Sequence, residues 1–177
     1  MSQIRVQPWK PLFPVKVPGC RVLVNYTNDN SPFRRQTEAA EYADHGSHAK
    51  IEDLLANTPR GILRWKIVTD SSARLLSKGI LRSYLRNRWK HGFKQALRDK
   101  GYTVEGRHRL TGRSGVSGTL ELAIVNAEGF KSPIGDMVSQ CRSVIEFLEG
   151  RKAQRLTAQR AYNARVASTP QTGRVLT

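Results

Sequence analysis

Seven cations recur at strict four-residue intervals: Arg74, Lys78, Arg82, Arg86, Lys90, Lys94 and Arg98, with Arg88 and Lys100 beside them. Between 74 and 100 only Asp99 opposes them. The chemistry open to such a row is neutralisation of a polyanion. On a helix, six successive i,i+4 pairs of like sign cost about 0.2–0.5 kcal/mol each, on the order of 1–3 kcal/mol for the row. Salt screening lowers that figure. An anionic partner reverses its sign. Arginine forks match phosphate oxygens two bonds at a time, which makes phosphate the preferred anion.

Two further groups carry the same chemistry. The stretch "RHRLTGRS" places Arg107, Arg109 and Arg113, with His108, beside glycines that let backbone approach a phosphate. The C-terminal stretch adds Arg151, Lys152 and Arg155, then Arg160. Several dispersed patches suit a folded RNA better than one face of a duplex. Trp9 is the aromatic placed to stack on an unpaired base, because a proline-rich arm has no core of its own. Trp65, Tyr84, Trp89 and Phe93 are assigned to the core instead.

Catalytic chemistry finds no residue set. "TGRSGVSG" lacks the GK[ST] ending of a phosphate-cradling loop and the spacing of a nucleophile elbow. His45 and His48 stand three apart with no third soft ligand, so a surface turn is expected rather than a metal. Asp70, Ser71 and Ser72 sit where a helix cap belongs. No carboxylate pair suggests acid–base work. Cys20 and Cys141 form no CxxC motif. The expectation is a protein that is not an enzyme, with no cofactor and no metal.

The elements that position these groups follow from pattern. "PWKPLFPVKVPG" reads as an extended arm. "CRVLVNY" reads as a strand, and residues 33–57 as one or two short helices broken at "HGSH". Residues 29–53 hold six acids against three bases, a stretch expected to face solvent or another protein. "ILRWKIV" alternates, with Leu63, Trp65 and Ile67 as the core face. A long helix is expected from a cap at Asp70 or Ser71 to about Lys100, ending at Gly101. Because a step of four overshoots a turn by about 40°, its charged row winds rather than running straight. "YTVEGRHRL" and "TLELAIV" flank a Gly/Ser loop and predict a hairpin. A last helix follows Pro133, with Met137, Val138, Cys141, Val144, Ile145 and Leu148 on its inner face and Gly150 as its end. The fold class is therefore α+β: a small mixed or antiparallel sheet, a long basic helix, a C-terminal helix and an extended N-terminal arm. The divisions are an arm at 1–18, one domain at 19–150 and a basic helical extension with a loose tail at 151–177.

The chain has 177 residues with 30 Lys and Arg against 14 acids, net +16, so its first partners are nucleic acid or an anionic membrane. No apolar run approaches the about 20 residues that span a bilayer. In general character the chain resembles ribosomal proteins as a class: a small basic domain, an extended arm and a basic helical extension. That resemblance implies a structural protein of a ribosome, bound to rRNA and to neighbouring ribosomal proteins, with no small-molecule substrate. Arg5, Lys10, Lys16 and Arg21 precede the first acid, Asp29, which suits the mitochondrial matrix, with cytoplasm or nucleus as the alternative. The rival functions are a free nucleic-acid-binding regulator or RNA-processing accessory protein, and a peripheral membrane protein. For a row touching about five phosphates of duplex-like RNA, affinity is expected to fall with log salt at a slope near −3.5 to −4.5.

Overall fold

A computed structural model of the chain describes residues 9–69, 78–125 and 129–168, with side chains as far as Asn163. Its strands are β1 (Phe13–Val15), β2 (Leu23–Thr27), β3 (Leu63–Thr69) and β4 (Gly118–Ile124). Its α-helices are α1 (Thr37–Glu41), α2 (His48–Ala56), α3 (Gly79–Asp99) and α4 (Ile134–Ser168). The fold is α+β, with one mixed sheet in the order β1-β2-β4-β3. β1 and β2 are antiparallel, as are β2 and β4, whereas β3 and β4 run parallel. The parallel pair follows from α3, which supplies the crossover such a pair requires.

Alternation along the strands sorts the two faces of the sheet. Val24 and Tyr26 of β2, Leu63 and Ile67 of β3, and Leu120, Leu122 and Ile124 of β4 are buried under the long helices. α3 contributes Leu85, Trp89, Phe93, Ala96 and Leu97 to that core, and α4 contributes Met137, Cys141, Val144, Ile145 and Leu148. The helices are tied together by Arg142–Asp99 at 3.0 Å and Lys100–Glu146 at 2.9 Å. Arg88 anchors the entry to α4 by donating to the carbonyls of Phe130 at 2.7 Å and Ser132 at 2.6 Å. The opposite face of the sheet is polar and is covered by the segment before α1. There the Ser31 amide donates to Thr119 Oγ1 at 3.0 Å, and Thr119 donates to the Asp29 carbonyl at 2.9 Å.

Several expectations shift. The arm is extended, and Phe13–Val15 join the sheet as its edge strand, where Pro14 is tolerated because an edge needs no donor on its outer side. The expected hairpin does not form. Both edges of β4 are already taken, by β2 and β3, so residues 102–110 have no place beside it. They close a loop through the bridges Tyr102–His108 and Arg107–Ser114 instead. α3 begins at Gly79, and Lys78 before it is extended, with φ −81° and ψ 127°. The proposed cap at 70–72 lies outside the described residues. α4 does not stop at Gly150: its 35 residues run on past the core, and from Arg151 to Asn163 its side chains are mostly exposed. Tyr84, assigned to the core, is half exposed and meets Phe130 edge-on at 5.7 Å. No described helix is long and apolar enough to cross a membrane.

Gly118 opens β4 with φ +109°, and a Cβ there would lie 2.3 Å from the Thr27 carbonyl oxygen. Neither the conformation nor the gap admits alanine. Gly118→Ala is expected to lower stability by about 2–3 kcal/mol in urea unfolding.

Candidate nucleic-acid interface

β3 is an outer strand of the sheet, so one row of its backbone N–H and C=O groups has no neighbouring strand. A groove of about 700 Å³ follows that edge. On the helical flank stand Arg86, Lys90 and Lys94 of α3; on the other flank stand Arg35, Arg64 and Lys66. Among the described residues, six cations thus straddle one strand edge and Glu105 is the acid that lines it with them. Charged side chains also keep other strands off an exposed edge.

Local structure explains the placement. Leu63, Trp65 and Ile67 point toward the helices, so Arg64 and Lys66 must point the other way. Both sit over the Phe33 ring, 5.1 and 5.5 Å from its centre. Arg64 also donates to the Ser31 carbonyl at 3.0 Å. Its pKa is lowered by burial, yet a guanidinium stays charged. Arg35 reaches the far end of β3 and donates to the Thr69 carbonyl at 3.4 Å. Between the flanks Trp65 stacks obliquely on Phe93 at 4.7 Å and donates to the Val104 carbonyl at 2.9 Å. Trp65 is partly buried and forms part of the groove wall.

The winding of the charged row selects its groove members. Arg86, Lys90 and Lys94 line the groove, whereas Arg82, half-buried and with a partner of its own, does not. Arg98 is exposed one turn beyond, and Lys78 is exposed before the first turn. Arg74 lies outside the described residues. Among the described residues no ion pair engages Arg86, Lys90 or Lys94; the carboxylates pair with Lys10, His48, Lys100, Arg107 and Arg142. The chain matches no family model, no curated protein and no solved structure. The groove therefore has to be read from its own chemistry.

The other expected cations are spread out. Arg107 is drawn to Glu105 at 3.7 Å, while Arg109 and Arg113 are exposed on the loop. Arg151 lies over the Phe147 ring at 5.2 Å, and Lys152 donates to the Ser114 carbonyl, so α4 and the loop meet. Arg155 and Trp9 belong to a separate cleft at the opposite end of β3 from Arg35. Trp9 is not on a free arm: it leans on a small cluster of Ala39, Ala40, Ile51 and Leu55. His48, expected on a surface turn, is instead buried at the start of α2, with Nδ1 3.0 Å from the Ala39 carbonyl and Nε2 3.5 Å from Glu52. Three groove cations went unread in the sequence. The alternation of "LRWKIV" does carry Arg64 and Lys66, but nothing local links them or Arg35 to α3.

Beside the second flank, Glu121 of β4 pairs in register with Lys66 on one side and Asn25 on the other. Its Oε2 and Asn25 Nδ2 are buried without a hydrogen-bond partner. Burial raises its pKa above 4.5, against the pull of the Arg34 amide and of Arg34, Lys66 and Arg35. A carboxyl whose folded pKa is raised binds its proton more tightly when folded, so stability falls as pH rises through that window. Glu121→Gln is accordingly expected to melt at higher temperature than the parent at neutral pH. The gap should close on acidification below 4.5, where both forms are neutral.

Proposed function

We propose that this protein binds the phosphate backbone of RNA along the β3 edge, in a structural rather than a catalytic role. The groove of six cations facing each other across one strand edge carries the reading. A single backbone fits between two charged flanks, whereas a duplex presents two backbones on a wider body. The site is thus proposed for an unpaired stretch of a larger folded RNA. Exposed cations on the 107–113 loop and on α4 then meet neighbouring phosphates. The setting we propose is a ribosome, the mitochondrial one in particular, with rRNA as the ligand and ribosomal proteins as neighbours.

The test has two arms. With about six phosphates neutralised, binding of a single-stranded oligonucleotide should fall with log salt at a slope of about −4. The native protein should also co-sediment with ribosomal particles and be released by high salt. Binding without co-sedimentation leaves a free RNA-binding regulator. Preference for anionic liposomes over RNA, or a flat salt response, rejects the proposal.

A further inference from the structure

We infer that the cleft beside Trp9 is a second site, built for one unpaired nucleotide. The inference extends the RNA-binding reading from the backbone to a base. The cleft measures about 670 Å³, within the roughly 300–1,000 Å³ typical of small-molecule sites. It starts at Arg60 and Gly61, directly before the residues that open the β3 groove, so a strand leaving the groove can enter it.

Three kinds of chemistry converge there. Trp9 lines the cleft while resting on the α1–α2 cluster, which holds the indole in place as a stacking surface. Lys10, Arg60 and Arg155 supply three cations; Lys10 lies 3.1 Å from Asp29, which leaves a surplus of positive charge suited to one phosphate. Two asparagines are oriented by their neighbours. The Tyr26 oxygen lies 2.9 Å from the Asn28 amide and 2.8 Å from the Ser117 carbonyl; its single proton goes to the carbonyl, which can only accept, so Asn28 turns its N–H₂ toward Tyr26 and its Oδ1 is its remaining acceptor. Asn30 Nδ2 donates to the Thr58 carbonyl at 3.2 Å, so its Oδ1 is the remaining acceptor. Two amide oxygens held two residues apart can accept from the N–H groups on the edge of a base. Burial pushes the Tyr26 pKa up to about 12, so the hydroxyl keeps the one proton that the Ser117 carbonyl accepts.

The experiment uses the full chain labelled with ¹⁵N. Its three tryptophans give three indole N–H signals, and Trp9→Phe identifies the one from Trp9. AMP, CMP, GMP and UMP are titrated separately, with inorganic phosphate as the control. A saturable shift of the Trp9 signal with nucleotides, unequal among the four bases and absent with phosphate, supports the site. Arg155→Gln, on an exposed helix position, should weaken that response several-fold. Substituting Arg86, Lys90 and Lys94 together should leave it intact. A Trp9 signal unmoved at millimolar nucleotide, or moved equally by phosphate, overturns the inference. If salt-dependent RNA binding persists in that case, only the cleft is lost; if Trp9 responds while RNA binding is absent, the groove reading fails and the cleft stands.

Discussion

Replacing Arg86, Lys90 and Lys94 together by Gln will weaken RNA binding and strengthen the fold. The two effects have one origin. These three side chains line one flank of the β3 groove and have no ion-pair partner among the described residues. Removing three of the six proposed phosphate contacts should flatten the single-strand salt slope from about −4 to about −2. Carried from 1 M to 0.15 M salt, a slope difference of about 2 amounts to roughly 1.7 decades, a loss near 50-fold. In the free protein the same residues take part in four like-charged i,i+4 pairs, from Arg82 to Arg98 along α3. Their removal should raise stability by about 1–2 kcal/mol at low salt. Fluorescence anisotropy with a labelled oligonucleotide and urea unfolding at matched salt measure both quantities. A variant that binds like the parent removes the groove from the function. A variant that loses binding and stability together shows that the charges serve the fold.

Trp89→Ala should cost about 3–5 kcal/mol, the range for truncating a large aromatic in a packed core. Trp89 has no exposed surface, and its neighbours one turn away on α3, Leu85 and Phe93, are equally buried. The void would open between the sheet and the two long helices, where α3 and α4 already anchor each other through ion pairs and cannot readily close the gap. A loss of this size is a large share of the about 5–15 kcal/mol that holds a domain folded. Tyr84→Ala, five residues earlier on the same helix, should cost under about 1 kcal/mol because its ring is half exposed. Urea unfolding of the two variants separates them; equal costs would mean that the buried face of α3 has been misassigned.

How the α3 residues divide was partly legible before any coordinates. The row Leu81, Leu85, Trp89, Phe93 and Leu97 is spaced to follow one side of a helix; Leu81 is half-buried and the other four are fully buried. The companion row of the same spacing, Leu76, Ile80 and Tyr84, was misleading at its two described members, Ile80 and Tyr84. Ile80 is 81% exposed, because the sheet and α4 cover only the other side of that turn. The inner face of α4 was readable for the same reason as the first row: periodicity is local, and a helix of apolar spacing has one way to bury it. The end of α4 was not readable, since Gly150 is tolerated where nothing packs against it.

The sequence alone determined the α+β class, the alternation of β3, the two core-facing helix stripes and the surplus of positive charge. Each is a property of residues near one another along the chain. Tertiary structure alone decided that β4 lies between β2 and β3, which denied residues 102–110 a strand partner. It also decided which cations stand together. Arg35, Arg64 and Lys66 reach the neighbourhood of Arg86, Lys90 and Lys94 only because α3 carries the chain back over the sheet beside β3. Charge is set by composition, but the distance between charges is set by strand order, and no local spacing records that.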